Sequence, residues 1–208
     1  PQYYGPRSYS YVIADANTST DILSADFIAY DDGVEGHNLQ DAFNDAGEKN
    51  LFFRDGTYLL SELNLNRDVI LRAENNVTLN LGKIVIPEGV NVHFIGFTFG
   101  AQVAFEIEGN VIFSDCQINS PITFSSSIVL NNTKTLSSII QRGGTLTAAC
   151  NSAIYELAVT EGLFYITGSS ITSLTVLSAE DGSIIDSTKI DFVAAKPKNV
   201  KLESSYVI

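Results

Sequence analysis

The strongest constraint on this chain is a recurrence. From residue 92 onward, short apolar triplets return: Val92-His93-Phe94, Val111-Ile112-Phe113, Ile128-Val129-Leu130, Leu146-Thr147-Ala148, Leu163-Phe164-Tyr165, Ile184-Ile185-Asp186 and Val200-Lys201-Leu202. The steps are 19, 17, 18, 17, 21 and 16 residues, a mean of 18. A second series keeps pace: Val103-Ala104-Phe105-Glu106-Ile107, Ile122-Thr123-Phe124, Ile139-Ile140, Leu157-Ala158-Val159, Leu174-Thr175-Val176 and Phe192-Val193. Apolar and polar residues alternate within each run, the period of a strand with one buried face. Gly, Asn and Ser fill the intervals, where the chain must turn. So short a strand pair cannot close a core alone. Stacked in parallel at about 4.8 Å per layer, each coil covers the apolar edge of the last. The expected fold is all-β, a parallel β-solenoid. No hexapeptide period is present, which points to the right-handed parallel β-helix rather than the left-handed type.

Less regular strands lead in at residues 51–53, 58–60, 69–71, 77–79 and 84–86. With them the count is roughly eight to ten coils, a rod about 40 Å long. Asp186 falls in the inward slot of Phe94, Phe113 and Leu130. Burying an unpaired carboxylate is costly, so a one-residue register slip is expected at Ile184-Ile185. Before the strands, Leu39, Ala42, Phe43 and Ala46 fall at i, i+3, i+4 and i+7, with Asn38 to cap the start and Gly47 to end the turn. This predicts a helix over 38–46 that covers the exposed apolar end of the solenoid. The domain reading is one solenoid domain over 26–208, preceded by an extended anchoring arm over 1–25. Tyr3, Tyr4, Tyr9 and Tyr11 crowd that arm beside Arg7. Clustered tyrosine is typical of binding surfaces, so these five residues are the expected partner-binding set.

Composition narrows the function. Hydrophobic residues are 45% of the 208, enough for one core and too many for a disordered chain. The net charge is −12, and no Lys or Arg lies between Lys83 and Lys134. Nucleic acid is therefore not an expected partner, because phosphate contacts need cations. No stretch reaches the roughly 18 apolar residues of a membrane span. Residues 1–11 lack an apolar h-region, so no signal peptide is read. The chain opens on Pro and contains no Met. It reads as an unexported product whose initiator Met is trimmed.

Few residues invite chemistry. Glu106 and Glu108 flank the inward Ile107, so both should point outward about 7 Å apart, with Asp115 one coil later. That spacing suits a glycosidase pair, although outward acids also serve simply as solubilising charge. The acidic turn over 31–38 does not match the ligand spacing of an EF-hand, and no metal or other cofactor is expected. His37 and His93 are far apart, and neither pairs with an obvious Ser or Cys. Cys116 and Cys150 should lie two coils apart, about 9.6 Å, too far for a bridge; both are expected as buried, reduced thiols. Asn17, Asn76 and Asn131 open glycosylation sequons that chance explains, since Asn is a common turn residue.

The segment Ala25-Asp26-Phe27-Ile28-Ala29-Tyr30-Asp31-Asp32-Gly33-Val34, then Leu39-Gln40-Asp41-Ala42-Phe43-Asn44-Asp45-Ala46, then Leu51-Phe52-Phe53-Arg54-Asp55-Gly56-Thr57-Tyr58, resembles the entry module of pectate-lyase-like right-handed β-helices. These are common in bacteriophage tailspikes and tail fibres and in polysaccharide-cleaving enzymes. Gly36-His37-Asn38 and Arg54-Asp55 depart from the family pattern at surface turns. The resemblance implies a virion structural protein without enzymatic activity: a tail fibre, spike or capsid decoration made in the host cytoplasm. It would be a homotrimer, held to other virion proteins by its arm, with a host surface glycan as a further expected partner. The alternative it implies is a polysaccharide-degrading glycoside hydrolase or lyase. Short coils leave little length for the walls of a substrate groove, and the central coils lack the cation a lyase needs, so the structural role is the favoured expectation.

Overall fold

The computed structural model describes residues 9–13, 27–28 and 38–208. All described strand pairing is parallel, and the chain winds as a β-solenoid of about eight turns. The expected fold class is the one observed. Each coil contributes to three ladders. Inward residues of the first ladder run Leu51, Leu71, Phe94, Phe113, Leu130, Ala148, Ile166, Ile185 and Leu202. The second stacks Tyr58, Leu79, Phe99, Ile118 and Thr135, then Ile154, Ile171 and Ile190. The third stacks Leu63, Ile84 and Phe105, then Ile122, Ile139, Leu157, Leu174 and Val193.

The second ladder was not separable in the sequence. Its strands shrink to Gln117–Ile118 and Lys134–Thr135, with one inward residue each. A single apolar position carries no alternation.

Helix Leu39–Asp45 forms where the spacing placed it. The Asn38 side chain accepts from the Asp41 amide at 2.9 Å. Gly47 follows at φ +62, in the left-handed region that ends helices. Leu39, Ala42, Phe43 and Ala46 are buried. Gln40 clasps Asn64 of the first third-ladder strand, Glu62–Asn64, by donating to its carbonyl and accepting from its amide. The Arg67 guanidinium stacks over Phe43 at 4.5 Å. The helix thus covers the N-terminal end of that ladder.

Two expectations need correction, at Leu163 and at Cys150, and the arm gains a contact. Strand Tyr9–Ile13, within the 1–25 arm, pairs in parallel with Asn50–Phe53, as Ser10 with Leu51 and Val12 with Phe53, and adds a rung below the first coil. Val12 is fully buried, and its carbonyl accepts from the Tyr58 hydroxyl and the Arg54 amide. Elsewhere, Phe164 and Ile166 point inward, not Leu163 and Tyr165, which leaves Tyr165 43% exposed. The register slip therefore precedes Leu163, where the Arg142–Thr145 bulge meets Gly162. Asp186 accordingly faces out while Ile185 is buried. Last, Cys116 is buried but Cys150 is exposed, because Cys150 occupies an extra residue in its corner; the two are not bridged.

A feature of the interior went unread in the sequence. Asp115, Asn132, Asn151, Gly168, Ser187 and Ser204 all take positive φ at the corner after the first ladder. The residue after each is small: Cys116, Thr133, Ser152, Ser169, Thr188 and Ser205. The Thr133 hydroxyl accepts from the Cys116 amide and donates to the Phe113 carbonyl. Ser152 does the same for the Thr133 amide and the Leu130 carbonyl, and Ser205 for the Thr188 amide and the Ile185 carbonyl. This internal column satisfies corner groups that the ladders cannot reach. Cys116 stands at its start, its thiol donating to Phe94 and Ser114 carbonyls.

Candidate functional site

The arm set divides. Tyr3, Tyr4 and Arg7 lie outside the described residues. Tyr9 and Tyr11 sit half-buried in the added rung, Tyr9 beside Asn50 and Tyr11 beside Phe52, whose ring it meets edge-on at 5.2 Å. Both head outward columns of the first ladder. The Tyr11 column continues through Phe52, Arg72, Ile95, Ser114 and Asn131, and the other passes through Ile70, His93, Ile112 and Val129.

Glu106 and Glu108 flank the buried Ile107 and are both exposed, but Asp115 is not gathered with them. Glu106 pairs with Lys83 of the previous coil at 2.7 Å on the third ladder. Glu108 precedes the strand Asn110–Ser114 and Asp115 follows it. Five strand residues separate them, roughly 17 Å, which is wider than any glycosidase pair. Asp115 instead accepts from the Asn132 side chain at 2.8 Å. Among the described residues, no three His, Cys, Asp or Glu side chains come together to hold a metal. The turn over 31–37, including His37, lies outside them.

The structure does assemble one site that sequence reasoning missed. His93 Nε2 and Ser114 Oγ are 2.8 Å apart, although 21 positions separate them in the chain. The expectation that neither histidine pairs with a serine is corrected here. One 19-residue coil sets His93 beside Ile112, and a diagonal step of two residues reaches Ser114. The only signal in the sequence was the alternation that turns both residues outward; their height depends on coil length. Burial, with Arg72 close by, pushes the His93 imidazole below its usual pKa. The shift favours the neutral ring. With its proton on Nδ1, it accepts from the Ser114 hydroxyl.

The imidazole lines a groove of about 510 Å³ on the outer face of the first ladder. Ile70, Ile112 and Val129 make its floor. Asp68, Asn91 and Asn110 make a hydrogen-bonding rim. There, the Asn110 amide donates to Asn91 at 3.0 Å, and the Asn91 backbone amide donates to Asp68 at 2.8 Å. Asn131 flanks Ser114 laterally in the next coil, outward like it, and its side-chain amide makes no hydrogen bond among the described residues.

No protein-family model matches the chain, and no curated protein or solved structure matches it either. No helix among the described residues is long and apolar enough to cross a membrane.

Proposed function

We propose that this chain is a structural and attachment protein of a virion, a tail fibre, spike or capsid decoration, whose rod serves assembly or host contact and does not cleave glycan chains. One observation carries the reading. From Asn50 onward, the longest connection between successive strands is seven residues, 177–183. Connections this short raise no walls, so the shaft is slim, and Asp115 stands a strand's length from Glu108 on it. The virion part of the reading rests on the resemblance of residues 25–58 to the entry module of pectate-lyase-like β-helices, which phage tailspikes and tail fibres share with polysaccharide-cleaving enzymes. Residues 1–25 remain the proposed anchor to other virion proteins, with Tyr9 and Tyr11 contributing from within the first rung.

Antibody raised against the purified chain tests this on particles of the virus that encodes it. Label on intact virions in electron micrographs is the expected result; virions that carry none overturn the reading. A parallel assay of capsular and cell-wall polysaccharides for new reducing ends or unsaturated uronates should stay blank. Chain cleavage that disappears in Glu106→Gln would instead establish the polysaccharide-degrading alternative.

A further inference from the structure

We propose that His93 and Ser114 form an acyl-transfer site that cleaves short-chain carboxylic esters of hydroxyl-rich alcohols. The inference stands independently of the virion reading. Its first support is the pair itself: a hydroxyl at 2.8 Å from an imidazole nitrogen, within the reach a general base needs. Its second is the flanking amide. Asn131 shares the Ser114 column one layer away, about 4.8 Å, with no partner of its own among the described residues. An unengaged amide there can donate to the oxyanion that develops on an ester carbonyl attacked by Ser114. Its third is the surroundings. Ile95 and Ile112 lie beside the pair and offer a small acyl group apolar contact, while the Asp68, Asn91 and Asn110 rim of the adjoining groove presents donors and acceptors to hydroxyl groups.

The chemistry balances with water as the only co-reactant. Ser114 Oγ bonds to the carbonyl carbon as its proton passes to His93 Nε2. The tetrahedral adduct collapses, the bond to the alcohol oxygen breaks, and the imidazolium returns the proton to the leaving alkoxide. Water then attacks the acyl-serine by the same route, releasing the carboxylic acid and restoring the hydroxyl. The alternative is that the pair only clasps adjacent coils, which predicts stability effects and no reactivity.

The test treats the full chain with a fluorophosphonate and maps the adduct by mass spectrometry. Acetate release from p-nitrophenyl acetate and from a peracetylated monosaccharide is followed alongside. The expected result is a single adduct on Ser114 and acetate release above buffer. Ser114→Ala should abolish both. His93→Gln should slow release about 100-fold or more. Asn131→Ala should slow release about 100- to 1,000-fold while still permitting the adduct. Unfolding midpoints read on the same samples separate loss of reaction from loss of fold. No adduct on Ser114 with release at the buffer rate overturns the proposal, as does release that survives Ser114→Ala.

Discussion

The two halves of the solenoid fill the same cross-section differently. In the early coils the interior is aromatic. Phe53, Tyr58, Phe94, Phe97, Phe99 and Phe113 are buried, and Phe94 meets Phe97 and Phe99 edge-on and stacks on Phe113 at 5.5 Å. In the later coils the first ladder narrows to Ala148, Ile166 and Ile185, and the column of Thr133, Ser152, Ser169 and Thr188 takes the corner. One half is held chiefly by apolar area and ring contacts. The other gives up side-chain volume and gains hydrogen bonds between coils. A repeat with a fixed backbone path therefore tolerates two interiors, provided each corner either excludes polar groups or satisfies them.

That contrast can be broken by substitution. Phe94→Ala should cost the most, about 3–5 kcal/mol, because a fully buried ring in contact with three others leaves a cavity that the stacked coils cannot close. Urea unfolding checks it, and a cost below about 1 kcal/mol would mean that the aromatic layer collapses freely. Gly144→Ala tests the other half. At φ +65 an added Cβ would collide with the Ser126 carbonyl, so about 1–3 kcal/mol of strain is expected in the same assay. The buried Gln141 side chain, which donates to the Gly144 and Leu163 carbonyls, would lose its setting with it.

Ser152→Ala should cost about 1–3 kcal/mol by leaving the Thr133 amide buried without an acceptor. Cys116→Ser should hold or raise the unfolding midpoint, since a hydroxyl extends the column by one coil at its N-terminal end. A stabilising Ser152→Ala would show that the column is incidental. Thiol chemistry sharpens the point without mutation. Burial pushes the Cys116 thiol up to about 12, whereas Cys150 is exposed. The native protein should take up one equivalent of a maleimide, at Cys150, and the second only on unfolding.

The smallest effects are those of pH. His93 has a depressed pKa in the folded state, so below about pH 6.5 the unfolded chain binds a proton that the native site resists. Melting temperature should fall as pH drops through this window, and less so in His93→Gln. Asp55, which accepts from the Asn75 and Asn76 amides, is lowered chiefly by the Asn76 bond. Its contribution is present above its unfolded value near 3.8 and is lost only as pH falls below that. Two separate acid steps are the expected profile.

Much of the fold was legible in the residues. The helix over 38–46, its Asn38 cap and its buried face followed from spacing alone. So did the inward places of Val92, Phe94, Val111 and Phe113, because strict alternation leaves only one way to bury them. Legibility failed where a corner changed length. Leu163-Phe164-Tyr165 offers apolar residues on both faces, so the pattern could not tell that Phe164 is the inward one. Cys150 looked equivalent to Cys116 until the corner proved to hold an extra residue. The candidate site was the least legible part: His93 and Ser114 meet only because the coil between them has its particular length.

What the sequence determined by itself is the period and the direction of each side chain. Two-residue alternation and an 18-residue return leave parallel stacking as the way to bury the apolar residues and pair the backbone. What the tertiary structure decided is which residue stands beside which. Lateral neighbours depend on how many residues each corner consumes, and that number is set by left-handed corner residues such as Asn132 and Asn151 and by the hydroxyls behind them. Periodicity averages over corners and cannot see a single added residue, yet one such residue shifts every later side chain against the coil below.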